Sequence, residues 1–141
     1  LMTPTRLYVK SCLAAARATP VKAFAHITGG GLPENLPRVL PDDCSARLDA
    51  NSWPIPPVFG WLCDRTVTPT EMARTFNCGI GMVAILSATD AARAIDILRE
   101  HGETVYEIGR IEPRGDGPAV ILDGFPAALE RAGASVPVDT R

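Results

Sequence analysis

Three consecutive glycines, Gly29-Gly30-Gly31, come one residue after the mostly apolar run Val21–Ile27 and precede Pro33-Glu34-Asn35-Leu36. Glycine gives up more backbone freedom on folding than any other residue, so three in a row cannot sit inside a helix or strand without a large cost. The chain therefore turns sharply here. The apolar run before it reads as a buried strand, and Pro33 suits the first turn of a short helix, where a missing N–H is least costly. A glycine loop between a strand and a helix start leaves backbone N–H groups open to a ligand, and the helix end adds partial positive charge. That combination suits a phosphate, through Thr28, Gly29, Gly30, Gly31 and Leu32, with Asn35 as a further donor. It is neither G-x-G-x-x-G nor a Walker A loop. As a bare motif it also describes a turn without a ligand. His26 closes the strand beside the loop and is placed either to move a proton or to bond the backbone.

A second segment, Glu71 to Met82, has a helix end, a turn with Gly79 and Gly81, and a strand start. Asn77 both donates and accepts, as recognition of an amide or amidine requires. Arg74 is able to pair with a phosphate or carboxylate, or with Glu71 on its own helix. Cys78 has no histidine nearby in sequence to activate it as a nucleophile. A third segment, Thr3 to Lys10, offers Thr5 as a helix cap and places Arg6 and Lys10 on one face as a solvated basic edge.

Between these segments the periodicity alternates between helix and strand. Helices are expected over Arg6–Ala18, with Val9, Cys12, Leu13 and Ala16 on one face, around Val58–Leu62, and from Pro69 to about Phe76. The last resembles a helix start, with Thr68 as N-cap, Pro69 at the first position and Glu71 three residues after the cap. Thr89 or Asp90 caps an amphipathic helix carrying Ala91, Ala94, Ile95 and Leu98, which Gly102 ends. Strands are expected at Ser45–Leu48, Met82–Leu86 and Val105–Ile111, with Ala119–Leu122 returning as the second arm of a hairpin after Arg114–Pro118. Trp53 and Trp61, around Pro54-Ile55-Pro56-Pro57, read as core. The segment from Phe125 to Arg141 reads as a tail that frays after one or two turns. The whole is an α+β domain, a mixed β-sheet with packed helices.

The chain has 141 residues, enough for one core, taken as residues 1–124 with the tail beyond. Its formal net charge is -2 and its basic residues are scattered, which argues against nucleic acid as a partner. No apolar run approaches the roughly 20 residues of a membrane span. The four cysteines, Cys12, Cys44, Cys63 and Cys78, form no C-x-x-C pair, and with only His26 and His101 to join them they suggest reduced thiols in a cytoplasmic protein with no metal site.

Four blocks carry a resemblance. Met2–Lys10, His26–Gly31, Asn35–Pro41 and Arg74–Met82 resemble successive blocks of the aminoimidazole ribonucleotide synthetase family, in its order and at closely similar spacing. The match runs from Leu1 to about Ile111. Cys63–Val67 departs from the family, Ala73 stands where a tyrosine is usual, and the segment after Gly124 has no clear counterpart. The resemblance implies an enzyme that closes the imidazole ring of formylglycinamidine ribonucleotide. ATP, with Mg²⁺, phosphorylates the formyl oxygen, a nitrogen attacks, and phosphate leaves. It also implies that an N-terminal domain of the same chain, absent here, supplies most of the nucleotide and metal site and mediates a homodimer. His26 and Asn77 then become catalytic candidates, and Thr28–Leu32, Asn35, Arg74, Gly79 and Gly81 become substrate- and phosphate-binding ones. Related kinases and synthetases of the same superfamily, whose glycine loop typically opens with Asp, and a non-catalytic phosphate-binding domain are the alternatives.

Overall fold

Strand β2, Cys44–Asp49, is flanked on both sides. In this computed structural model it pairs antiparallel with β4, Gly109–Pro113, and parallel with β5, Val120–Asp123, giving the order β4-β2-β5. The structure describes residues 4–65 and 67–134. Met2 and Thr3 of the first block, Thr66 of the departing loop and residues 135–141 of the expected tail lie outside them. A second sheet has two strands, β1 (Ala23–His26) and β3 (Met82–Ile85), paired antiparallel with His26 opposite Met82. The architecture is thus α+β with a mixed sheet, as the periodicity suggests.

The helices are α1 (Val9–Ala18), α2 (Gly31–Asn35, running into a 3₁₀ turn at Leu36–Val39), α3 (Pro57–Arg65), α4 (Pro69–Thr75), α5 (Ala88–Glu100) and α6 (Phe125–Ala134). The N-cap at α4 forms as read: the Glu71 N–H donates to Thr68 Oγ1 at 3.2 Å. Gly102, at φ +82°, ends α5. No helix among the described residues is long and apolar enough to cross a membrane.

Several expectations fail, each for a tertiary reason. The Ala119–Leu122 segment does not form a hairpin with the strand before it, because β2 lies between β4 and β5. That earlier strand is also shorter than Val105–Ile111 suggests, and Thr104–Glu107 carry no backbone hydrogen bond among the described residues. The N-cap of α1 is Tyr8, not Thr5, and that of α5 is Ser87, not Thr89 or Asp90; neither makes a side-chain cap bond. Helix α1 buries Ser11 and Ala15 instead of the Val9–Leu13 stripe, and Val9 stays 65% exposed. Ser11 is held there by Glu103, whose Oε1 lies 2.7 Å from Ser11 Oγ. Arg6, expected in a solvated basic edge, pairs with the same carboxylate at 2.7 Å. Trp53 is core, but Trp61 is 41% exposed.

The largest revision concerns the end of the chain. Helix α6 runs ten residues and buries Phe125, Ala128, Leu129 and Ala132, a complete apolar face against α3. The two helices touch at glycines: a Cβ on Gly60 would stand 2.0 Å from the Gly133 nitrogen. Phe125 and Leu129 join Ile27, Leu36, Trp53 and Met72 in one continuous core.

Candidate functional site

The antiparallel pairing of β1 with β3 sets the end of one strand against the start of the other. The glycine loop after His26 and the Asn77–Gly81 turn therefore meet at one end of the small sheet. The Ile27 N–H donates to the Gly81 carbonyl at 2.9 Å. His26, Thr28, Gly29 and Gly79 are all exposed at this end, and Gly81 and Asn77 are partly exposed beside them. The ring of His26 meets Tyr8 edge-on, with centroids 6.1 Å apart. A Cβ on Gly81 would stand 2.0 Å from Tyr8 Oη, so the glycine makes room for that tyrosine.

The three glycines serve different purposes. Gly30 has φ +96° and Gly31 φ +56°, in the left-handed region. A Cβ on Gly31 would lie 1.9 Å from the Ala73 carbonyl oxygen, so this residue lets the loop press against α4. A Cβ on Gly30 would lie 2.8 Å from the Glu34 side chain. Only Gly29 has open space around it. Local geometry therefore explains two of the three glycines without a ligand. The Gly31 N–H is taken by Thr28 O at 3.0 Å, which leaves Gly29, Gly30 and Leu32 as backbone donors without a partner among the described residues.

Asn35 belongs to the architecture of the loop. It is buried, and its Nδ2 donates to Gly31 O at 2.8 Å and Gly29 O at 3.2 Å. Its donors hold the loop and do not face a ligand. Arg74 pairs with Glu34 across the gap between α4 and α2 at 3.0 Å, and not with Glu71, which accepts from Thr75. Both ends of that ion pair are largely exposed, so Arg74 remains within reach of an incoming anion. Asn77 folds an Asx turn, its Oδ1 accepting from the Gly79 N–H at 3.1 Å. Its Nδ2 donates to none of the described residues.

Cys78 is no nucleophile. It is buried at φ +48°, its Sγ donates to Met72 O at 3.8 Å, and its carbonyl accepts from Trp53 Nε1. Burial, with a smaller contribution from Cys63, pushes its thiol up to about 12. None of the four cysteines is in a disulfide. Tyr8 is the site residue that sequence reasoning did not single out. Its block was read for a helix cap and a basic edge, and what places Tyr8 at the site is its contact with His26 and with the space over Gly81. The described residues contain no group of three His, Cys, Asp or Glu able to hold a metal ion. Glu34, the acidic residue bonded into the loop, is already paired.

The comparisons with known proteins fall on the same residues. The family model for AIR synthase related protein, C-terminal domain, matches residues 1–121. The chain is similar to a phosphoribosylformylglycinamidine cyclo-ligase from Polaromonas sp., 56% identical over 123 residues, which is 86% of this chain and 36% of that protein. It is likewise 54% identical over 120 residues to the protein of that name from Methylobacillus flagellatus, covering 84% and 35%. The same name belongs to a relative from Aromatoleum aromaticum, 54% identical over 122 residues and covering 84% and 35%. The chain spans about a third of the length of these curated relatives.

Proposed function

The chain belongs to the family of AIR synthase related C-terminal domains, and from that premise we propose that it works as part of a phosphoribosylformylglycinamidine cyclo-ligase, on the substrate side of the active-site cleft. The observation that carries this reading is the meeting of the His26–Gly31 loop with the Asn77–Gly81 turn, joined by the Ile27–Gly81 hydrogen bond. Two loops distant in sequence converge and leave an exposed imidazole, an amide nitrogen and unpaired backbone N–H groups at one sheet end.

In this reading the backbone N–H groups of Gly29 and Gly30 bind phosphate oxygens, and Arg74 adds charge from the loop's far side. The Asn77 amide nitrogen is free to donate to the amide or amidine of the substrate, while its oxygen is fixed by Gly79. His26 moves a proton on or off the nitrogen that attacks the activated formyl carbon. ATP supplies the phosphoryl group that turns the formyl oxygen into a leaving group. The described residues do not fit a Mg²⁺ site. ATP and Mg²⁺ are assigned mainly to the polypeptide outside the matched region, along with the contacts of a cytoplasmic homodimer.

The test is a chimera in which this chain replaces the matched region of the Polaromonas cyclo-ligase, assayed with formylglycinamidine ribonucleotide and ATP. Turnover is expected from the chimera and none from the 141-residue chain alone. His26→Ala in the chimera is expected to lower kcat by roughly 10²–10⁴-fold, the usual span of general acid–base help. Unchanged kinetics would return His26 to a structural role. A chimera that folds but binds neither substrate would overturn the assignment.

A further inference from the structure

The α5 helix has a clear apolar stripe, Ala91, Ala94, Ile95 and Leu98, yet only Ala94 is buried. The stripe faces a groove of about 700 Å³ that runs between β3 and the segment Glu103–Ile111. An amphipathic helix in a finished fold lays its stripe on something. Here the stripe lines an open space together with Met82, Ala84, Leu86, Val105 and Ile108.

The two walls of that groove are strand edges. Among the described residues β3 pairs only with β1, and β4 only with β2, so each sheet presents one edge to the gap. The Gly81 carbonyl faces β1, where it accepts from Ile27, so strand alternation turns the backbone groups of Met82 and Ala84 outward. On the other wall the Ile108 carbonyl faces β2, accepting from Asp49, which turns those of Glu107 outward. Thr104 to Glu107 bond no backbone group among the described residues. Natural proteins seldom leave two apolar-lined edges unpaired, because such edges capture extended chain.

We propose that this groove is the seat of one extended, mainly apolar β-strand that pairs with both edges, joins the two sheets into one, and is covered by α5. The occupant is polypeptide of the full-length cyclo-ligase outside the matched region. The curated relatives keep about two thirds of their length there. Main-chain hydrogen bonds to both walls hold the strand, and its alternate side chains fill the space over Ala91, Ile95 and Leu98. The proposal rests on the reading that the chain acts within such an enzyme.

The chimera described above tests it by amide hydrogen exchange. Residues 82–86 and 104–107 are expected to exchange at least about tenfold more slowly than the 114–117 turn, in the range of β2. Glu107→Pro removes one outward N–H and no bond seen in the present structure. It is expected to lower the melting temperature of the chimera while leaving that of the 141-residue chain unchanged. Exchange over 104–107 as fast as in the turn, or Glu107→Pro melting like its parent in the chimera, would overturn the proposal. Protection that grows with concentration in the 141-residue chain would assign the groove to a second copy and overturn the named occupant. A chimera protected but inactive would sink the enzymatic reading and leave the strand in place. An active, unprotected one would do the reverse.

Discussion

Gly81 lies directly beneath Tyr8: a Cβ on the glycine would stand 2.0 Å from the tyrosine oxygen and 2.9 Å from Cζ. The tyrosine in turn holds its ring edge-on to His26. Gly81→Ala is therefore expected to displace Tyr8 and to destabilise the chain by roughly 1–3 kcal/mol, the usual range for forcing extra volume into a packed site. The double variant Gly81→Ala/Tyr8→Ala should cost less than the sum of the single ones. Urea melts of the four proteins in a mutant cycle check this, and additive costs would show that the two residues do not touch.

The glycine loop offers an internal comparison. Gly31→Ala puts a methyl 1.9 Å from the Ala73 oxygen at φ +56°, and it should destabilise the fold by more than about 1 kcal/mol. Gly29→Ala meets open space and should leave stability within about 0.5 kcal/mol. If the backbone here binds phosphate, Gly29→Ala in the chimera should still raise KM for the ribonucleotide. Gly30→Val is the poorer probe because both its φ and the nearby Glu34 oppose a side chain. Thermal melts beside steady-state kinetics separate the two effects.

Cys78 should make stability sensitive to alkali. Its thiol ordinarily titrates at 9.0 and is pushed to about 12 by burial in the fold. The unfolded chain thus loses this proton first as pH rises, and between pH 9 and about 12 the folded state binds more protons. Stability contributed by the neutral thiol is complete below pH 9 and declines through that window. Denaturant melts from pH 8 to 11 should fall less steeply for Cys78→Ala than for the parent. In the folded parent at pH 8 a thiol reagent should leave Cys78 unmodified.

Leu129→Ala tests whether α6 is a core element. Leu129 is fully buried, and its loss is expected to cost about 2–5 kcal/mol. A change below 0.5 kcal/mol, typical of surface positions, would return the last helix to the status of a tail. The same melts that read Gly31→Ala read this variant.

The spacing of polar and apolar residues determined most of the elements by itself. Thr68, Pro69 and Glu71 start α4, Gly102 stops α5, and the three glycines break the chain after β1, because caps and breakers act on the few residues beside them. Sequence also marked the two loops at the site, since glycines and Asn77 are legible as turn formers wherever they occur. Helix α6 was read as a fraying tail, because its many alanines and the prolines around it gave no sign of a partner, and its face of Phe125, Ala128, Leu129 and Ala132 found one only in α3. Tertiary structure alone decided the rest. Strand order put β2 between β4 and β5 and undid a hairpin that local turn chemistry favoured, since pairing depends on which edges meet in space. Glu103 drew Ser11 inward and left Val9 in solvent, because a buried hydroxyl with a carboxylate partner fixes which side of α1 turns in. Asn35 became a loop brace and Tyr8 a neighbour of His26 for the same reason: a side chain's partner is set by distance, and distance across the fold is not written in spacing along the chain.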